Sequence, residues 1–186
     1  TPNNVFLVSG STTTKLRAGT AGSLTSNQYA VSGGFLSVNV GGDPTSLRIE
    51  VCRNTSEVGV ILGTNCAVRN LQVLYFPYSG MQASAATGTC YIEDNVISYN
   101  GDDGVDTDYA TVYIRRNTIQ QNGLTRNPAG GQGDGISAHQ GSTTIAESNT
   151  IIDNERCGIG HHGNTNTISR YNYVKGNYRN MQIYGL

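Results

Sequence analysis

The stretch NVISYNGDD, residues 95–103, decides the fold. Its skeleton, Asn-x-(Ile or Val)-x-x-Asn, returns as NTIQQN at 117–122, NTIIDN at 149–154 and NYVKGN at 172–177. Asn tolerates the left-handed backbone of a sharp corner, and its amide bonds the local backbone. Stacked turn over turn, like amides also bond one another in a ladder. The spacing predicts one corner at Asn70, Asn95, Asn117, Asn149 and Asn172, joined by Asn54, and a second at Asn100, Asn122, Asn154 and Asn177. Ile97, Ile119, Ile151 and Val174 are expected to point inward between them.

Outward from these copies, a marker residue precedes each short alternating segment: Gly34, Gly59, Gly80, Gly104, Gly135, Gly158 and Asn180, spaced 21 to 31 residues apart. The longest interval holds LTRNPAGGQG, a surface insertion by its Pro and glycines. Alternation of period two and β-branched residues replace helical periodicity, and each unit reads as three short strands. A period in the low twenties with three strands fits stacked turns about 4.8 Å apart. The expected fold is all-β: a parallel coil of six to seven turns over 34–186. Residues 1–33 lack the repeat and are expected to cap the first turn. MQIYGL at the other end shows no cap, so a longer parent or another subunit is expected to cover it.

Composition narrows the partners. The formal charge is −1 and only 13% of the 186 residues are charged, so nothing creates a phosphate-binding field and nucleic acid is not expected. No apolar run reaches the length of a membrane helix. Cys52, Cys66, Cys90 and Cys157 lack zinc-ligand spacing. Cys66 and Cys90 precede the inward Val68 and Ile92 of neighbouring turns, close enough for either a disulfide or two stacked thiols. Cys52 and Cys157 lie too far apart to pair. The triplet NTS at Asn54 is a weak glycosylation signal.

Alternation also assigns faces. Val105, Thr107, Ile136, Ala138, Ile159, Met181 and Ile183 are inward positions, with His161 inward or at the strand edge. Four residues past each marker, Asp108, His139, His162 and Tyr184 fall in one outward column. A carboxylate, two imidazoles and a phenol suit proton transfer near neutral pH. Asp106 flanks them, and Asp102 and Asp103 lie at the turn before. The alternative is ordinary surface polarity, with Asp102 and Asp103 as turn residues.

The repeat resembles the right-handed parallel β-helix of the pectate-lyase-like superfamily, including mannuronan epimerases, polygalacturonases and phage tailspikes. NGDDGV resembles the paired acids of polygalacturonases, and GHHG loosely resembles their Gly-His-Gly. The acid of the preceding turn is replaced by GMQASA, and the Arg-Ile-Lys is missing, with Arg170 and Lys175 the nearest basic residues. An inverting hydrolase needs carboxylates on both sides of the sugar bond, and here the acids cluster on one turn, which argues against hydrolysis. The epimerases' Asp-Pro-His-Asp is absent, with DTDY at 106–109 keeping acids only.

The resemblance implies a secreted or cell-surface protein acting on or binding an acidic polysaccharide, by lyase- or epimerase-type proton abstraction. The expected catalytic residues are Asp106, Asp108, His139, His162 and Tyr184. His139 or His162 would be the base and Tyr184 the acid. Tyr109, Arg115, Ser137 and Gln182 would contact substrate. Ca²⁺, if any cofactor is used, would sit on Asp102, Asp103 and Asp106. Eleven tyrosines offer stacking surfaces, with Tyr75, Tyr78, Tyr99, Tyr109 and Tyr113 near the site in sequence. The competing expectation is a structural or adhesive module of a fibre or spike, self-associating head to tail or as a trimer.

Overall fold

The computed structural model describes residues 4–9, 12–32, 35–42, 48–52, 58–84, 86, 88–123, 133–163 and 165–184. Asn54, Gly34 and most of the 124–133 insertion lie outside these residues. The chain divides into two compact units, 1–55 and 56–186.

The first unit holds β1 (Asn4–Ser9), β2 (Thr12–Lys15), β3 (Arg17–Ala18), β4 (Gln28–Ser32), β5 (Phe35–Asn39) and β6 (Arg48–Cys52). β1 pairs antiparallel with β2 and β6, and β4 pairs antiparallel with β5. FLSVN at 35–39 is therefore not a rung of the coil, although the glycine spacing predicts one. Alternating apolar and polar residues specify a strand with one buried face; they do not specify the direction of its neighbour.

In the second unit each turn contributes three strands. The turns are β7 (Val60–Ile61), β8 (Ala67–Arg69) and β9 (Gln72–Leu74); β10 (Met81–Ser84), β11 (Thr89–Glu93) and β12 (Val96–Ser98); and β13 (Val105–Asp108), β14 (Thr111–Arg115) and β15 (Thr118–Gln120). They continue as β16 (Ile136–Ala138), β17 (Thr143–Glu147) and β18 (Thr150–Ile152), then β19 (Cys157–His162), β20 (Asn166–Arg170) and β21 (Tyr173–Lys175), and end in β22 (Arg179–Tyr184). Three parallel sheets result, in the orders β7-β10-β13-β16-β19-β22, β8-β11-β14-β17-β20 and β9-β12-β15-β18-β21. Among the described residues the coil thus makes five full turns and one further strand, fewer than the six to seven expected from the markers.

The core is a set of columns. Met81, Val105, Ile136 and Ile159 stack in the first sheet, all fully buried. Ile97, Ile119 and Ile151 stack in the third and are equally buried, with Val174 packed against them. The third-sheet isoleucines and the backbone of the next turn explain the marker glycines. A Cβ on Gly104 would lie 2.6 Å from the Gly135 carbonyl oxygen and 2.5 Å from Ile119 Cγ2, and Gly135 and Gly158 are crowded in the same way by the next turn. Glycine recurs there because the backbone of the following turn occupies the side-chain space.

Both asparagine ladders form, with one correction. Asn117 Oδ1 accepts from Asn95 N–H (2.9 Å) and Asn95 Nδ2 (3.0 Å), while Asn117 Nδ2 donates to Ile92 O and Asn149 Oδ1. Asn100, Asn122, Asn154 and Asn177 repeat this pattern. Asn70 does not belong: Leu71 stands at the ladder position, its N–H donating to Asn95 Oδ1. The left-handed corner residue is the one before each ladder position: Asn70 before Leu71, and Asp94, Tyr99, Arg116, Gln121, Ser148, Asp153 and Tyr171 before ladder asparagines. The ladder asparagines serve for their amides, not for backbone tolerance.

Cys66 and Cys90 are stacked free thiols with sulfurs 3.9 Å apart, and both donate to Gly63 O. Burial, then Cys90, raises the Cys66 thiol's pKa. The opposite face of the second sheet carries a ladder of alternating charge, Arg69, Glu93, Arg115, Glu147 and Arg170.

Candidate active site

The expected column shares one backbone register. Ser84 is in register with Asp108, and His162 with Tyr184. His139 follows β16 directly, its N–H bonded to Thr107 O at 2.7 Å, which places it one rung beyond Asp108 and one before His162. The two imidazoles stack with centroids 4.7 Å apart and planes 18° from parallel. Tyr184 continues the column by backbone register. The inward column beside it carries Thr107, Ala138, His161 and Ile183. Burial, then His162, lowers the His161 pKa.

Over these strands lies a groove of about 560 Å³ lined by Tyr78, Gln82, Ser84, Asp103, Asp106, Asp108, Tyr109, His139, Gln140, His162 and Gly163. Its titratable groups include three aspartates and two histidines; among the described residues, no Lys or Arg lines it. Asp106 sits deep in its wall, only 8% exposed rather than projecting into solvent. Its Oδ2 accepts from Gln82 Nε2 at 2.8 Å, and its Oδ1 lies 3.6 Å from His139 Nε2. Ser137, expected to contact substrate, is buried with Oγ 3.0 Å from the same Nε2. Ser137, His139 and Asp106 thus share one ring nitrogen and form no nucleophile relay, which would need opposite nitrogens.

Two acids reach the site from neighbouring turns. Asp103 is buried at the entry to β13, and its Oδ1 accepts from the N–H groups of Gly133 (3.0 Å) and Asp134 (2.7 Å). Asp134, one rung later, is absent from the sequence-based set yet holds the histidine column. Its Oδ2 lies 2.8 Å from His162 Nε2 and its Oδ1 accepts from Cys157 N–H, with Arg156 Nη1 at 3.8 Å. A signal for it was present: Asp stands one place before the marker glycine in both DDGV and GDGI.

Crowded acids resist ionisation together. Burial, then Asp106 and Asp134, pushes Asp102 up to about 6, against the pull of Arg156. Burial and then Asp102 hold Asp103 well above the ordinary carboxyl range. Burial raises Asp106 as well, countered by Gln82 and His139. The Tyr78 phenol is raised by burial and by the same acids.

Other expected residues fall elsewhere. Arg115 lies on the second sheet, paired with Glu147 (3.2 Å) and Glu93 (3.7 Å) and placed over the Tyr113 ring, so it is not a groove residue. β14 belongs to a different wall of the coil from β13. Gln182 accepts from Arg179 and Cys157 Sγ beside Gly160 and does not line the groove. Asp102 is buried behind the groove. Of the tyrosines, Tyr78 and Tyr109 line it, whereas Tyr75 stacks on Tyr99 (5.4 Å) and Tyr113 on Tyr91 (5.2 Å).

A family model described as the right-handed beta helix region matches residues 54–185. No curated protein and no solved structure matches the chain. The match spans the whole stack of parallel sheets and both asparagine ladders, and the chain belongs to the right-handed β-helix family.

Proposed function

We propose that the chain binds a uronate-containing polysaccharide in this groove and abstracts the C5 proton of a sugar unit with His162. One observation carries this: the His162 imidazole beside the groove is held at 2.8 Å by Asp134, a carboxylate with a fully buried side chain. A carboxylate acceptor takes the Nε2 proton, which leaves the lone pair on Nδ1 and steadies the imidazolium formed when that nitrogen takes a proton. In a lyase reaction the C5 proton passes to His162, the C–H electrons form the C4–C5 double bond, and the C4–O bond breaks. The departing oxygen then takes a proton from a phenol, Tyr184 in the next rung or Tyr109 on the groove wall. In an epimerase the same carbanion is reprotonated from its other face. Asp108 and Tyr109 line the groove where sugar hydroxyls and ring faces would bind.

Hydrolysis is supported less well. Asp134 supplies a carboxylate from a second turn, but it is committed to His162, Cys157 N–H and Arg156, and Asp103 is committed to two backbone N–H groups. The remaining groove acids, Asp106 and Asp108, share one strand. Polysaccharides of this class lie outside cells, so this reading goes with a secreted or cell-surface location.

The test is incubation with alginate and polygalacturonate, reading ultraviolet absorbance of unsaturated uronate and the uronate ratio by NMR. Either signal, lost in His162→Gln with the fold intact by circular dichroism, supports the assignment. Unchanged polymers in both assays overturn it.

A further inference from the structure

We propose that Asp103, Asp106 and His139 bind a divalent transition-metal ion of the Zn²⁺ or Mn²⁺ class in the groove wall. Each offers one ligand atom, and the three atoms lie within 4.8 Å of one another. Small rotamer adjustments bring such a set to the roughly 2.0–2.2 Å of metal–nitrogen and metal–oxygen bonds.

A second observation points to a missing ligand. Asp106 Oδ1 is shielded from solvent yet accepts no hydrogen bond, on a residue only 8% exposed. A buried acceptor left without a donor is unfavourable, and a cation removes that cost. The outer shell is already built. Gln82 Nε2 holds Asp106 Oδ2, and two backbone N–H groups hold Asp103 Oδ1, so each carboxylate is oriented through one oxygen and presents the other. The His139 side chain is 35% exposed, which gives an ion a way in. Binding at Nε2 would replace its present contact with Ser137 Oγ.

The donor set selects the metal. Ca²⁺ and Mg²⁺ take oxygen ligands, whereas an imidazole favours transition ions and Zn²⁺. His139 takes the place of Asp102, which lies outside the cluster. The inference concerns the same groove as the proposed reaction but stands apart from it, since binding is read without substrate.

The experiment is calorimetric titration of EDTA-stripped, dialysed protein with Zn²⁺, Mn²⁺, Ca²⁺ and Mg²⁺ separately. The expected result is one-to-one binding of Zn²⁺ or Mn²⁺ with Ca²⁺ and Mg²⁺ at least roughly tenfold weaker, accompanied by proton release seen as a buffer-dependent heat. His139→Gln, at a partly exposed position that tolerates change, should weaken the preferred ion about tenfold or more and erase the preference. Asp106→Asn should weaken all ions. Saturable binding that His139→Gln leaves unaltered, equal affinity for all four ions, or no binding at millimolar ion overturns the site, whatever the sugar assays show.

Discussion

His139 and His162 stack one rung apart at 4.7 Å, yet each ring leans on a different acid, His139 on Asp106 and His162 on Asp134. The closer contact, 2.8 Å against 3.6 Å, belongs to the pair whose carboxylate is fully buried. One imidazole is thereby fixed in orientation while the other keeps its nitrogen near a cluster of acids.

Asp134→Asn separates these roles. The amide can present its N–H to Nε2 and favour the other tautomer, so turnover of a uronate polymer should fall by roughly 10²–10⁴ with little change in KM. An unchanged rate in steady-state kinetics would remove His162 from the mechanism.

Asn117→Ala should destabilise the coil by roughly 3 kcal/mol. Its side chain accepts from the Asn95 backbone N–H and donates to Ile92 O, and both partners would be left buried without a partner. Asn177→Ala, at a more exposed rung, should cost less. Urea denaturation checks both, and equal losses would contradict the ladder's burial as the cause.

Gly135→Ala should cost about 1–3 kcal/mol or more, because the added Cβ meets Ile151 Cγ2 at 2.5 Å and the Gly158 carbonyl oxygen at 2.7 Å. A variant as stable as the parent by thermal melt would show that the turns can spread at no cost.

Metal-free protein should lose stability as pH rises across the range of its crowded acids. Asp102 is raised from 3.8 to about 6 by folding. A group raised on folding holds its proton more tightly in the native state. Its contribution is therefore whole below about pH 4 and lost by about pH 6, a loss of roughly 3 kcal/mol. Asp103 and Asp106 shift the same way. The urea midpoint in EDTA should be higher near pH 5 than near pH 7, and Asp102→Asn should flatten the slope. A midpoint higher near pH 7 would contradict the shift.

Much of this was legible in the residue order. A period-two pattern whose copies recur about every two dozen residues specifies parallel stacking, and the asparagine pairs locate two corners of each turn. Counting from the markers also put Asp108, His139, His162 and Tyr184 in register, because parallel strands preserve spacing from rung to rung. The same counting failed at FLSVN, which alternates but pairs antiparallel, and at Asn70, where Leu71 takes the ladder position.

By itself, then, the sequence determined the stacked architecture and the register of Asp108, His139, His162 and Tyr184, since repetition of a local pattern needs no knowledge of distant neighbours. Only the tertiary structure decided which acids serve which imidazole, that Asp106 and Ser137 are buried, and that Arg115 belongs to another wall. Those outcomes depend on how far side chains from different turns and corners reach toward each other, and on what the neighbouring rung leaves open to water.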